Sequence, residues 1–217
     1  MIKLAIDIEK RYEKFLLKDY SDGYCVGFCL KWLGDVLNKN KHGYVKGAFF
    51  VDVKDKAQLL NLMERAKKKH SSYEQNRLTY SPKIGRPEGY IEFVSKYNDY
   101  KQRELEKSSG QSGLHYKYAE LSNNNITGLD RYPIASPAKQ GVMMSLSFNS
   151  QGVRPQHAVA AIRVTEEKCY FFDPNYGLYE IISTNPEFEI KGLLAQKYHD
   201  HRLLTQVVVS QSRLWSI

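Results

Sequence analysis

The chain has 217 residues, 42% of them hydrophobic and 26% charged, which is enough for one large domain with a sizeable core. Lys and Arg number 32 against 24 Asp and Glu, a formal net charge of +8. This mixture excludes fibrous and disordered classes, and no apolar run approaches the roughly 20 residues of a membrane-spanning helix.

The start, Met1-Ile2-Lys3-Leu4-Ala5-Ile6-Asp7, meets acid and base at once and lacks the pattern of a cleavable secretory signal. Residues 4–18 read as an amphipathic helix, with Leu4, Ile8, Tyr12, Phe15 and Leu16 near helical spacing. Asp19 to Gly23 is a breaker cluster. A second helix is predicted from Cys25 to about Leu37, apolar nearly all round and therefore buried. A third covers about 55–71 and ends in Lys67-Lys68-Lys69-His70, cations that suit a helix C-terminus. A fourth covers about 87–107, and Ser108-Ser109-Gly110-Gln111-Ser112-Gly113 reads as a flexible loop. The period then shifts toward two. Strands are predicted at 141–148, 157–164, 169–173, 178–182 and 204–210, with a short helix at 187–199. Helices first and a meander after them imply an α+β fold, taken as a single domain over 1–217 with a core of about 19–209.

Cys25, Cys29 and Cys169 make an odd count, which does not suit a disulfide framework and leaves a free thiol for chemistry in a reducing compartment. Cys25 follows a glycine-containing turn and opens the buried helix. There the first-turn N–H groups and the helix dipole favour an anion, so a thiolate is stabilised and an oxyanion can be bound. Cys29 lies one turn further in and Cys169 lies inside a strand, and both read as core.

The stretches His157-Ala158-Val159-Ala160 and Cys169-Tyr170-Phe171-Phe172-Asp173-Pro174-Asn175-Tyr176-Gly177 flank the polar turn Thr165-Glu166-Glu167, a hairpin signal. With a three-residue turn, His157 and Asp173 become diagonal neighbours on one face, with backbones about 7–8 Å apart. With a two-residue turn they fall on opposite faces. Such a pair has a use: an imidazole takes the thiol proton and returns it to a leaving amine, while a carboxylate fixes the imidazole. His199-Asp200-His201 has no further ligand close by in sequence and reads as a polar turn, so neither a metal nor a cofactor is expected.

The order Gly-x-Cys-x-Gly-x-x-x-x-Trp-Leu at 23–33, His-Ala-Val-Ala at 157–160 and Phe-Phe-Asp-Pro-Asn-x-Gly at 171–177 resembles the YopT/AvrPphB family of bacterial effector cysteine proteases. The resemblance implies a papain-like fold, with a nucleophile-bearing central helix packed on a C-terminal antiparallel sheet. It implies Cys25 as nucleophile, His157 as base and Asp173 as orienting acid. It also implies a protein made without a cleavable signal, helped by a secretion chaperone, injected into host cells through type III secretion and acting in the cytosol or at a membrane there. Its substrate would be a host protein such as a small GTPase or a kinase. Papain-like enzymes usually carry an amide side chain five or six residues before the nucleophile, yet no Asn or Gln precedes Asn38. Tyr20 and Ser21 are the candidate oxyanion donors instead.

Two other readings stand beside protease. The same three residues serve an acyltransferase, deamidase or transglutaminase. A basic non-enzymatic binding module is the third. The net charge is compatible with an anionic membrane surface as partner. No zinc-finger pattern or basic helix with interleaved aromatics points to a specific nucleic acid.

Overall fold

The computed structural model describes residues 1–8, 10, 24–38, 56–80, 90–121, 125–126, 129, 140–152 and 155–211. Seven strands form one antiparallel sheet: β1 (Ile2–Asp7), β2 (Leu114–Leu121), β3 (Gln140–Ser147), β4 (Gln156–Arg163), β5 (Lys168–Asp173), β6 (Gly177–Ile182) and β7 (Arg202–Gln211). Their order across the sheet is β1-β6-β5-β4-β3-β7-β2. The helices α1 (Cys25–Asn38), α2 (Lys56–Tyr80) and α3 (Tyr90–Gln111) precede most of it, and α4 (Pro186–Lys197) lies between β6 and β7.

Strand alternation sorts the side chains into two cores. Ala158, Ala160, Tyr170 and Phe172 pack with Val26, Phe28, Cys29 and Trp32 of α1. Val159, Ala161, Cys169 and Phe171 pack with Ile190, Leu193 and Leu194 of α4. The helix α1 can lie flat on the sheet because it is apolar on nearly every side. Its Trp32 ring stacks on Phe172 of β5 at 5.3 Å, and the Cys29 thiol donates to the Ala158 carbonyl of β4 at 3.3 Å. On its other side α1 touches α2 at Gly27, where a Cβ would stand 1.9 Å from the Ala66 carbonyl oxygen. Glycine is therefore the residue that permits this helix crossing. The start of α4 is set by Asn185, whose side chain accepts from the Phe188 N–H at 3.1 Å, with Pro186 in the first turn.

Several sequence expectations need correction. The helix expected from residue 4 is instead β1, the sheet edge paired with β6, and the backbone turns helical only at Ile8. Ile2, Leu4, Ile6 and Ile8 alternate with Lys3, Ala5 and Asp7, a period of two that helical spacing obscured. Residues 11–18 of that expected helix lie outside the described residues. The helix α2 continues nine residues beyond 71, to Tyr80, because no Gly or Pro interrupts it before Pro82. The supposed flexible loop at 108–113 is mostly the last turn of α3, with its serines buried. Ser108 and Ser109 are 3% and 1% exposed, and Asn76 of α2 donates to Ser108 Oγ and to Gln111 Oε1, both at 2.9 Å. Small side chains let the α3 end close against α2. Strand β2 was not expected at all. Among the described residues, no helix is long and apolar enough to cross a membrane.

Candidate active site

The helix α1 begins where the Tyr24 carbonyl accepts the first helical bond, from Phe28 N–H at 2.9 Å. Cys25 is thus the first helical residue, and its N–H belongs to the set that a helix leaves unpaired at its start. The Cys25 side chain is partly buried, whereas Cys29 and Cys169 are fully buried.

The β4–β5 hairpin has the register of a three-residue turn, with Ala160 opposite Phe172 and Arg163 opposite Cys169. Val164 N–H closes the hairpin onto Lys168 O at 2.7 Å. His157 and Asp173 therefore share a face at the open end of the hairpin. His157 Nε2 meets Asp173 Oδ1 at 2.9 Å. The Cys25 thiol lies close enough to the same imidazole to act on its charge. With Nε2 committed to the carboxylate, Nδ1 is the nitrogen left for sulfur. The three side chains expected to work together are thus brought together in one row, with Asp173 hydrogen-bonded to His157 and Cys25 beside the ring. Tyr20 and Ser21 lie outside the described residues.

The row is buried, with His157 6% and Asp173 1% exposed. Burial alone would pull the imidazole pKa down. The hydrogen bonds and negative charge offered by Asp173 and Cys25 together outweigh it and raise the His157 pKa to about 10. The protonated ring is thereby favoured beside the sulfur.

A buried carboxylate has to be satisfied at both oxygens, and here both are. Asp173 Oδ1 accepts from Asn175 N–H at 2.9 Å as well as from His157. Oδ2 accepts from the Tyr198 hydroxyl at 2.7 Å. Local sequence explains the first arrangement. Asp, Pro and Asn suit a β-turn start, and Tyr176 N–H closes the turn onto Asp173 O at 3.2 Å. Gly177 ends it at φ +148, with Ile6 O 2.1 Å from where a Cβ would be, so only glycine fits.

The Peptidase_C58 family model, described as Yersinia/Haemophilus virulence surface antigen, matches residues 7–212. The chain belongs to this family of cysteine peptidases. The fold agrees: the crystal structure of the Pseudomonas avirulence protein AvrPphB superposes with a TM-score of 0.52 at 16% identity, over 88% of this chain and 93% of that one. That likeness shows the papain-like arrangement of N-terminal helices on an antiparallel sheet. The cysteine protease-like domain PatoxP of the Photorhabdus asymbiotica toxin PaTox aligns at 12% identity and a TM-score of 0.38, over all of this chain and 56% of that one. The YopT domain of the Pasteurella multocida PfhB2 toxin aligns at 16% identity and a TM-score of 0.25, over 90% and 87%. No curated protein matches this chain significantly.

In this peptidase three further side chains surround the row, and the sequence did not single them out. Tyr198, just past α4, faces the His157 ring at 5.3 Å while bonding Asp173. Burial and the neighbouring carboxylate push its phenol pKa up, so it keeps the proton it donates. Asn175 Nδ2 donates to the Tyr198 hydroxyl at 3.2 Å. Phe148 packs edge-on to His157 at 6.5 Å and on Tyr198 at 4.7 Å. Asn175 lay inside a motif already noticed. Tyr198 is 25 residues from Asp173, and no local pattern links them. The neighbouring His199 stands outside the row, paired with Asp200 at 3.8 Å and largely exposed.

Proposed function

We infer that this chain is a thiol endopeptidase of the bacterial virulence-effector type, with Cys25 as nucleophile, His157 as acid and base, and Asp173 as the orienting carboxylate. The observation that carries the reading is the buried imidazole bonded to Asp173 and standing beside a helix-starting thiol.

The thiolate of Cys25 attacks the carbonyl carbon of a peptide bond, and negative charge grows on the carbonyl oxygen. The N–H of Cys25, which α1 itself does not use, is one donor for that oxygen, and Tyr20 or Ser21 is the candidate second. His157 passes its proton to the departing amine, leaving a thioester on Cys25. The neutral imidazole then takes a proton from water, hydroxide adds to the thioester, and collapse regenerates the thiolate–imidazolium pair. Asp173 keeps Nε2 as a hydrogen-bond donor throughout, so Nδ1 is always the nitrogen that exchanges the proton. The substrate is a host-cell protein, with small GTPases and kinases as the candidate classes, met in the host cytosol or at an anionic membrane.

Incubation of a host-cell extract with the purified chain, followed by labelling of new N-termini, is the test. New termini that appear with the native chain and not with Cys25→Ala are expected. Ammonia release without any new terminus would overturn peptidase in favour of deamidase chemistry. In parallel, iodoacetamide should alkylate Cys25 in the native chain, and His157→Ala should slow that reaction.

A further inference from the structure

The run Lys67-Lys68-Lys69 lies in the middle of α2, so it has no helix end of its own to complement. Its Lys68 and Lys69 join Arg65 and Ser72 at i, i+3, i+4 and i+7, the spacing of one helix face. That face closes a cavity of about 290 Å³ with Lys31 of α1 and with Ser108, Gln111 and Ser112 at the end of α3. A second cavity, of about 570 Å³, shares Gln111 and adds Arg103, Glu106 and Lys107 of α3.

Structural duties absorb only part of this charge. Lys31 pairs with Asp35 one turn along α1. Lys69 Nζ donates to the Gln111 carbonyl at 3.4 Å and so caps α3, whose end supplies about half a negative charge. Among the described residues, neither Arg65 nor Lys68 pairs with a carboxylate. Four cations therefore line the first cavity, with Asp35 behind Lys31 and the end of α3 offsetting part of their charge. Half-burial and the like charge of Lys31 lower the Lys69 pKa, the mark of an ammonium short of counter-charge.

We propose that this cavity between α1, α2 and α3 binds a polyphosphate ring of the inositol type, free or carried as a lipid headgroup. Phosphate fits better than carboxylate because it brings up to two charges per group and three acceptor oxygens. Arg65 offers the two-pronged geometry for it, and Lys31, Lys68 and Lys69 offer point charges from two helices. The adjoining cavity, which shares Gln111, adds Arg103 and Lys107 against Glu106, so several phosphates on one ring match the combined surplus of the two cavities better than one phosphate does. The site shares no residue with the row of Cys25, His157 and Asp173 and does not depend on the reading of it.

The test is calorimetric titration of the full chain with inositol hexakisphosphate, beside sedimentation with phosphatidylcholine vesicles with and without phosphatidylinositol bisphosphate. Saturable one-to-one binding is expected, weakened on the order of tenfold or more by Arg65→Gln with Lys68→Gln, since charge-assisted contacts contribute that much. Both residues are exposed, so the double variant should keep the melting temperature and any peptidase activity of the parent. Binding to the free polyphosphate alone identifies a soluble ligand, and binding to both identifies a headgroup. The proposal is overturned by absence of saturable binding to either, by equal binding in the double variant, or by a short RNA that displaces the polyphosphate at equal phosphate concentration.

Discussion

Cys25 and Cys29 stand one turn apart on one helix, yet they occupy different chemical worlds. Cys25 sits in the first turn, half-open, with an imidazole as partner. Cys29 sits in the second, fully buried, and donates to a backbone carbonyl of β4. Burial, then the negative charge of Cys25 and Asp173, push its pKa well above the ordinary thiol range. Position in the fold, rather than residue type, separates a reactive sulfur from a packing sulfur. The first turn has unpaired N–H groups and access, whereas the second has neither.

The largest effect should come from breaking the reactive side of this comparison. Cys25→Ala should lower turnover by roughly a thousandfold or more, because removing the nucleophile leaves only binding and oxyanion contacts. Circular dichroism should stay unchanged, since a partly buried small side chain is lost. Full activity in this variant would end the assignment of Cys25.

Asp173→Asn should follow, with turnover reduced on the order of a hundredfold or more, as an amide no longer fixes the imidazole in one orientation. The pH profile carries the sign. The His157 pKa stands at about 10, above its unfolded value, so the protonated ring persists on the alkaline side until pH passes that region. Removing the Asp173 charge removes one of the two influences that raise it. The alkaline limb of activity should therefore move to lower pH. For the same reason, the contribution of His157 to stability is complete below about pH 6.5 and lost as pH rises through 10. Alkaline limbs that coincide in the two proteins would show that Asp173 does not set the imidazole charge.

How far these arrangements could be read from the chain differs between its halves. The β4–β5 hairpin was legible as a hairpin, but its register stood between a two- and a three-residue turn until the structure gave the three-residue one; the turn after Asp173 was legible because Asp, Pro, Asn and Gly each have a local reason to be there. Cys25 at a helix start was legible from the glycine turn before it. The edge strand β1 was not, since four alternating apolar residues also satisfy a helical spacing when longer neighbours are included. The last turn of α3 was not, because serines and glycines read as a linker until Asn76, from a helix more than thirty residues earlier, arrives to bond them. Tyr198 was invisible for the same cause: its partner is chosen by the packing of α4 beneath the sheet.

Tyr198→Phe should lower turnover on the order of tenfold, the value of one hydrogen bond to a charged acceptor. It removes a single oxygen and leaves the ring that packs on His157 and Phe148. A Tyr198→Leu variant separates the two roles: loss of the ring should lower the melting temperature further, while the shared loss of the hydroxyl should weaken turnover in both. Unchanged turnover in Tyr198→Phe would mean that Asn175 N–H and His157 alone hold the carboxylate.

The smallest effect closes the comparison with which the two sulfurs began. Cys29→Ala removes a buried sulfur that donates to the Ala158 carbonyl, at the cost of a small void and one weak hydrogen bond. Stability should fall by about 1 kcal/mol, read by urea unfolding. Turnover should stay within about twofold of the parent, because a backbone carbonyl of a paired strand keeps its place without that thiol. The alkylation stoichiometry of the native protein should equal that of Cys29→Ala, one label per chain. If the native chain took up two labels and the variant one, the second turn of α1 would be open to solvent, and the distinction between the two sulfurs would be one of degree.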